Sequence, residues 1–252
     1  MALFDGSTSY MVTGSPPLSA SGYPITFGAW ICPTAFASGS IAAIFQFTDT
    51  GATPPWRMDV RMGNTGLLTI FARDNTTAAS GTTSGTLTTG KFAFVVGRFI
   101  SATNRRLSVL FPNGSVEHVQ NTTNIVLSGL DALGIGAVIN AGLSPSDFFP
   151  GILSEIWYAD ADVQADGAQL QDALLRQLAY MGPFSLPHFR KDIVEYHALR
   201  ATVAPGVTGR EYYSRGAATA WTPTAVKTGI HPPLPAGYEA PRREAGSSFV
   251  MI

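Results

Sequence analysis

The 252-residue chain reads as an all-β protein, a two-layered sandwich carrying one short helix, and three observations lead there. First, 26 Gly and 17 Pro, with abundant Ser and Thr, cut the first 160 residues into short segments separated by turn chemistry. Second, within those segments apolar and polar side chains alternate with the period of two that a half-buried strand needs. Third, helical spacing shows in a single stretch, residues 164–181, where Leu170, Leu174, Leu178 and Met181 recur before Gly182-Pro183 ends the run.

The segments follow in order. Residues 10–12 come after a Ser/Thr lead-in. Residues 25–32 place Ile25, Phe27, Ala29 and Ile31 on one face and Thr26, Gly28 and Trp30 on the other. Residues 41–47 are next, then 56–62, with Trp56, Met58, Val60 and Met62 against Arg57, Asp59 and Arg61, a half-exposed pattern. A Gly63-Asn64-Thr65-Gly66 turn leads into 67–73, and 91–99 is a strongly apolar strand. Residues 106–111 and 116–120 flank Asn113-Gly114, whose positive-φ preference marks a tight hairpin. Residues 132–139 and 152–158 close the series, and 193–197 gives one further apolar segment. From Lys227 onward, Pro232, Pro233, Pro235 and Pro241 speak for an extended arm ending in Phe249, Val250, Met251 and Ile252. The expected division is a sandwich over 1–226, with 183–226 either part of it or a separate docking segment, and an arm over 227–252.

Charged residues make up 13% of the chain and its net charge is −1, against roughly a quarter charged in ordinary soluble domains. Residues 6–48 contain no Asp, Glu, Lys, Arg or His. Uncharged polar faces are cheap to desolvate, so this face, with the C-terminal arm, is where neighbouring subunits are expected to pack. The neutral balance argues against nucleic acid, whose binding needs a basic patch. No apolar run is long enough to span a membrane, and the first basic residue is Arg57, so neither membrane insertion nor a secretory signal is expected. Cys32 stands alone and reads as a packing residue.

A search for chemistry finds no paired carboxylates alternating on one strand, no H-E-x-x-H and no G-x-S-x-G elbow. His118, His188, His197 and His231 are isolated in sequence, and Asp162 reads as a helix cap. No catalytic residue is assigned. Glycan binding needs exposed aromatics beside polar groups; Trp56, Tyr212, Tyr213 and Trp221 are the candidates, with core packing as the alternative for each. Trp30 and Trp157 read as core. The sequons at Asn75, Asn113 and Asn121 suit surface loops.

Together the residues resemble a family. Leu3-Phe4-Asp5-Gly6 with Tyr10, then residues 25–34, are similar to the opening of concanavalin A-like, laminin-G-like domains, where an "FDG" strand precedes one like "FTISAWVKPT". Residues 91–99, 107–114, 135–136 and 149–158 match its later signposts in order. The resemblance covers residues 1–180, or on to 225, and implies a jelly-roll β-sandwich. Residues 193–199 and 231–233 are similar to the C-terminal part of such domains in tailed-phage structural proteins. Ser154 and Asn113 stand where the family has aspartates, so its calcium binding does not carry over directly. No cofactor is called for; a structural calcium stays open, with Asp5, Glu155 and Asp160 as scattered carboxylates.

The expectation is therefore a non-enzymatic structural and binding protein of a virion, made in the host cytoplasm. It would decorate a capsid or form part of a tail or fibre, packing against other virion proteins and against itself as a homo-oligomer, with recognition of surface glycans as a second role. The alternative is a soluble or secreted lectin-like carbohydrate-binding module.

Overall fold

A computed structural model describes residues 2–14, 23–36, 39, 41–53, 55–164, 167–197, 212–214, 222–224 and 227–228. The strands begin with β1 (Ala2–Asp5), β2 (Tyr10–Thr13), β3 (Ile25–Pro33), β4 (Ile41–Thr48), β5 (Arg57–Gly63), β6 (Leu67–Arg73) and β7 (Ala78–Thr86). They continue with β8 (Ala93–Ser101), β9 (Asn104–Leu110), β10 (Val116–Asn121), β11 (Ala132–Ile135), β12 (Val138–Ile139), β13 (Pro145–Ser146) and β14 (Pro150–Ala159). After the helix α1 (Asp172–Met181) come β15 (Ile193–His197), β16 (Tyr212–Ser214), β17 (Thr222–Thr224) and β18 (Lys227–Thr228).

Sixteen of these strands build the two antiparallel sheets of a concanavalin A-like jelly-roll sandwich, and β12 and β13 pair as a separate two-stranded ribbon. The seven-stranded sheet has the order β17-β2-β11-β4-β5-β6-β7. The nine-stranded sheet runs β10-β9-β8-β3-β14-β1-β18, with β15 on β14 and β16 on β15. Strand β14 serves two neighbours along one edge, β1 through residues 150–153 and β15 through residues 156–159. The change falls at a bulge, where Glu155 takes φ +50° and the pairing with β3 slips between Ser154 and Trp157. Thus residues 193–197 extend the nine-stranded sheet.

The inward faces meet in an aromatic centre. Phe27 stacks on Phe45 at 4.3 Å, and Phe47 meets both Phe45 and Tyr158 edge-on. Each such side chain contributes about 1.5–3 kcal/mol by leaving water. The alternation seen in the sequence is what points these rings inward together.

A second apolar layer covers the outer face of the nine-stranded sheet. Phe94, Val96, Leu110, Trp157 and Ala159 project outward and are buried under Val163, Leu170, Leu175, Leu178, Phe189 and Ile193. This corrects the expectation for the uncharged face of β3, whose cover comes from the same chain. Thr26 Oγ1 donates to the Ala161 carbonyl at 2.7 Å and accepts from the Val163 N–H, while Trp30 Nε1 donates to the Ala179 carbonyl at 3.0 Å. Thr and Trp stand where Lys or Glu would stand on a wet face because one or two buried partners satisfy each of them.

Helix α1 starts at Asp172, so its buried stripe is Leu175, Leu178 and Ala179, and Met181 is 61% exposed. The expected cap is also corrected: Gln171 occupies the N-cap, and Asp162 lies ten residues before the helix, paired with Arg98. Residues 132–139 divide into two strands at Gly136, whose φ is +79°. A Cβ there would come within 2.3 Å of the Phe4 ring, so glycine alone permits both the turn and the contact. Strand β7, built from Ala, Ser, Gly and Thr, has no apolar alternation to announce it; Ala79, Gly81 and Thr83 are its buried side. Between β1 and β2, Asp5 Oδ1 accepts the N–H groups of Ser7, Thr8 and Ser9, and Oδ2 accepts the Thr8 hydroxyl. The Thr8 hydroxyl and these backbone donors hold the Asp5 carboxyl far below the usual carboxylate range.

Candidate functional site

A groove of about 610 Å³ lies where the edges of the two sheets meet. One wall is the end of β7 and the following turn, carrying Ser84, Thr86 and Thr88, with Lys91 beyond; the other is the β9–β10 hairpin, carrying Asn113, Ser115 and Glu117. Ser84, Thr86, Thr88, Lys91, Asn113 and Ser115 are all exposed. Phe111, only 8% exposed, forms the floor beside Gly85.

Glu117 joins the walls. Its Oε1 accepts the Ser84 N–H at 2.6 Å and the Ser84 hydroxyl at 3.2 Å, and its Oε2 accepts the Gly85 N–H at 2.9 Å. Gly85 is required here for close approach, since a Cβ would sit 2.9 Å from the Phe111 ring and 3.1 Å from Glu117 Oε2. The Thr83 hydroxyl donates to the Gly85 carbonyl and accepts the Leu68 N–H, fixing the bend at the end of β7. On the hairpin, Asn113 Oδ1 accepts from the Ser115 N–H and hydroxyl. Its two amide N–H donors make no hydrogen bond to a described residue. The groove thus offers hydroxyls, an amide and one ammonium on a fixed backbone, a set suited to a polyol. Glu117 is the single carboxylate among its lining residues and both its oxygens are engaged, whereas hydrolysis of a glycosidic bond uses two carboxyl groups.

Among the described residues that line this groove there is no glycan candidate named from the sequence. Trp56 is half-buried against the sandwich core and its Nε1 donates to Asn75 Oδ1. Tyr212 and Tyr213 belong to β16, where they pair in register with His197 and Tyr196. Trp221 and the terminal Phe249, Val250, Met251 and Ile252 lie outside the described residues. The groove leaves no mark in the sequence because hydroxyl residues in β7 carry no signal of their own. The Asn113-Gly114 hairpin was the available pointer, and only sheet packing sets it opposite β7.

A second polar arrangement resembles a catalytic relay. Ser108 Oγ lies 2.9 Å from His118 Nδ1, and His118 Nε2 lies 2.9 Å from Asp172 Oδ1. Ser108 is 1% exposed, however, beneath a recess of about 60 Å³, room for little more than a water or two. Ser108 and His118 are direct cross-strand partners, so the chain of contacts fastens the start of α1 to the sheet edge.

Calcium fits poorly. Among the described residues no group of three His, Cys, Asp or Glu side chains is placed to share a metal ion, and the Asp5 oxygens are turned to backbone and hydroxyl donors. Among the described residues no helix is long and apolar enough to cross a membrane.

Comparison with known proteins agrees with this architecture. A family model described as the concanavalin A-like lectin/glucanases superfamily matches residues 5–164. No curated protein matches the chain. Among solved structures, the heptameric SAP-like pentraxin of Limulus polyphemus is similar at a TM-score of 0.46 and 14% identity, over 71% of this chain and 80% of that one. Tailspike protein 2 of Escherichia coli O157:H7 bacteriophage CAB120 is similar at 0.48 and 13% identity, over 78% of this chain but only 25% of the tailspike. The CBM40 of the Ruminococcus gnavus IT-sialidase, bound to α2,3 sialyllactose, is similar at 0.45 and 13% identity, over 61% of this chain and 80% of the module.

Proposed function

The chain belongs to the concanavalin A-like lectin/glucanases superfamily, and we propose that it is a non-enzymatic binding component of a virion that holds glycans in the groove between β7 and the β9–β10 hairpin. The observation that carries the binding part is the groove itself: exposed hydroxyls of Ser84, Thr86, Thr88 and Ser115, the Asn113 amide and the Lys91 ammonium around one open trough. A saccharide exchanges its hydration for such groups with little reorganisation, because Glu117 and Thr83 hold the walls in place. The virion part rests on the sequence of residues 193–199 and 231–233 and on the chain's low charge, which suits packing among other virion proteins and copies of itself.

The binding part is tested on a glycan array with the wild-type chain and a Ser84→Trp/Ser115→Trp double variant. The expected result is binding that falls on the order of tenfold or more when the trough is filled; no binding by the wild type, or equal binding by the variant, sinks the assignment. The virion part predicts that the chain co-purifies with intact particles at a fixed copy number, measured by quantitative mass spectrometry. Its absence from the particles, together with glycan binding by the free chain, would leave the lectin-like module as the reading.

A further inference from the structure

The outer face of the seven-stranded sheet carries a group of charges that the glycan groove does not use. On β5, Arg57, Asp59 and Arg61 point outward; their neighbours across β6 are Arg73, Phe71 and Thr69. The sequence pattern suggested a half-exposed row, but Arg57 is 9% exposed and Asp59 0%. Neither Asp59 oxygen accepts a hydrogen bond. Its cations reach it only through their inner nitrogens, Arg57 Nε at 3.4 Å and Arg61 Nε at 3.5 Å.

The two guanidiniums lie beside one aromatic ring. The Arg61 Cζ lies 3.7 Å from the Phe71 ring centre and the Arg57 Cζ 5.1 Å from it, within the range of cation–π attraction. Arg73 is committed elsewhere, donating from Nε and Nη2 to the Pro55 carbonyl. The terminal nitrogens of Arg57 and Arg61 donate to no described residue. Both side chains retain 11–12% of their accessible surface, so their edges meet solvent and are not sealed in.

The charges do not balance. Two guanidiniums face one carboxylate at contact distance, with Arg73 as a further cation and Asp147 as a further acid acting at longer range. Burial pushes Asp59 up and Arg61 and Arg73 down from their ordinary values, as expected of charges short of solvent and of partners. A surplus of poorly hydrated cation is stabilised by an anion. Paired planar forks, pre-oriented by an aromatic ring and braced from behind by a carboxylate, suit an oxyanion with two or more acceptor oxygens.

We propose that Arg57 and Arg61 form a binding site for an oxyanion group, a carboxylate, sulfate or phosphate carried by a ligand, on the outer face of the seven-stranded sheet. Phe71 and Asp59 act as positioning residues for the two forks. The site is separate from the groove between β7 and the β9–β10 hairpin and does not depend on it.

The test is isothermal titration of the full chain with sodium sulfate, sodium phosphate and sodium acetate, each against sodium chloride at matched ionic strength. The Arg Nε–Hε resonances are followed in parallel by NMR. We expect saturable binding of at least one oxyanion with movement of the Arg57 and Arg61 resonances. The tetrahedral and planar arms separate a sulfate or phosphate ligand from a carboxylate. Arg61→Gln should weaken binding about tenfold, the loss of a charge-assisted fork, and Arg57→Gln/Arg61→Gln should abolish it. Arg61→Lys, which keeps the charge and perturbs the fold least, should also weaken it. Ser84→Trp should leave it unchanged. Binding no stronger than that of chloride, or full affinity in a folded Arg61→Lys and Arg61→Gln, overturns the proposal. Loss of oxyanion binding in Ser84→Trp would overturn the separation of the two sites.

Discussion

Asp162→Ala is expected to lower the unfolding free energy by about 3–5 kcal/mol, read as a fall in the denaturation midpoint at an unchanged slope. Arg98 is fully buried, and Asp162 is its counter-charge: Nε and Nη2 donate to the two carboxylate oxygens at 2.6 and 2.7 Å. The remaining donors are also used, Nη1 on the Ala168 carbonyl and Nη2 on the Gln164 carbonyl. One side chain from β8 thus pins the segment leading to α1 over the outer face of the nine-stranded sheet. Without Asp162 the guanidinium stays buried and uncompensated, which is where most of the penalty arises. An Arg98→Met/Asp162→Leu double variant removes both charges and should recover most of the loss. If Asp162→Ala costs under ~1 kcal/mol, the pair lies open to water and the layer is held by its apolar contacts alone.

A loss of comparable size is expected for Trp157→Ala, about 3–5 kcal/mol. Trp157 is 1% exposed and central to the second apolar layer, edge-on to Phe189 at 5.9 Å. Its indole lies directly over Gly28, its register partner on β3. A Cβ on Gly28 would fall 2.4–2.9 Å from three atoms of the ring, closer than van der Waals contact, so Gly28→Ala should cost about 1–3 kcal/mol through overpacking. The two sites are coupled, and a thermodynamic cycle reads that coupling. In a Trp157→Leu background the Gly28→Ala penalty should shrink to a few tenths of a kcal/mol. A Gly28→Ala penalty that is the same in both backgrounds would show that the backbone at Gly28, and not the indole, sets the cost.

Much of the sandwich was legible residue by residue. Phe27, Ala29 and Ile31 alternate with Thr26, Gly28 and Trp30, and a period of two on β3 admits no other element. Asn113-Gly114 fixed its hairpin for the same local reason. The split at Gly136 and the whole of β7 were not legible. The first depends on how near Phe4 comes, and the second on a partner strand, because Thr, Ser and Gly carry no burial signal of their own. Asp162 shows the limit most plainly. In sequence it is an aspartate shortly before a helix, and its role as counter-ion depends on Arg98, sixty-four positions earlier.

The candidate sites divide in the same way. Trp56 was singled out for its type, yet its indole packs on the core and bonds Asn75. Ser84 and Ser115 had no distinguishing pattern, and they share a groove because β7 and the hairpin end at the same edge.

The scarcity of charge across residues 6–48 was a property of the sequence, and so was the all-β class, since both follow from composition and from the spacing of neighbours. What covers the β3 part of that uncharged stretch was decided only in three dimensions. Local periodicity says which side chains share a face, but the free energy of burying the face depends on what arrives from elsewhere in the chain. Here residues 161–193 arrive, drawn by Trp157, Phe94 and Val96 beneath them and held by Arg98 and Asp162.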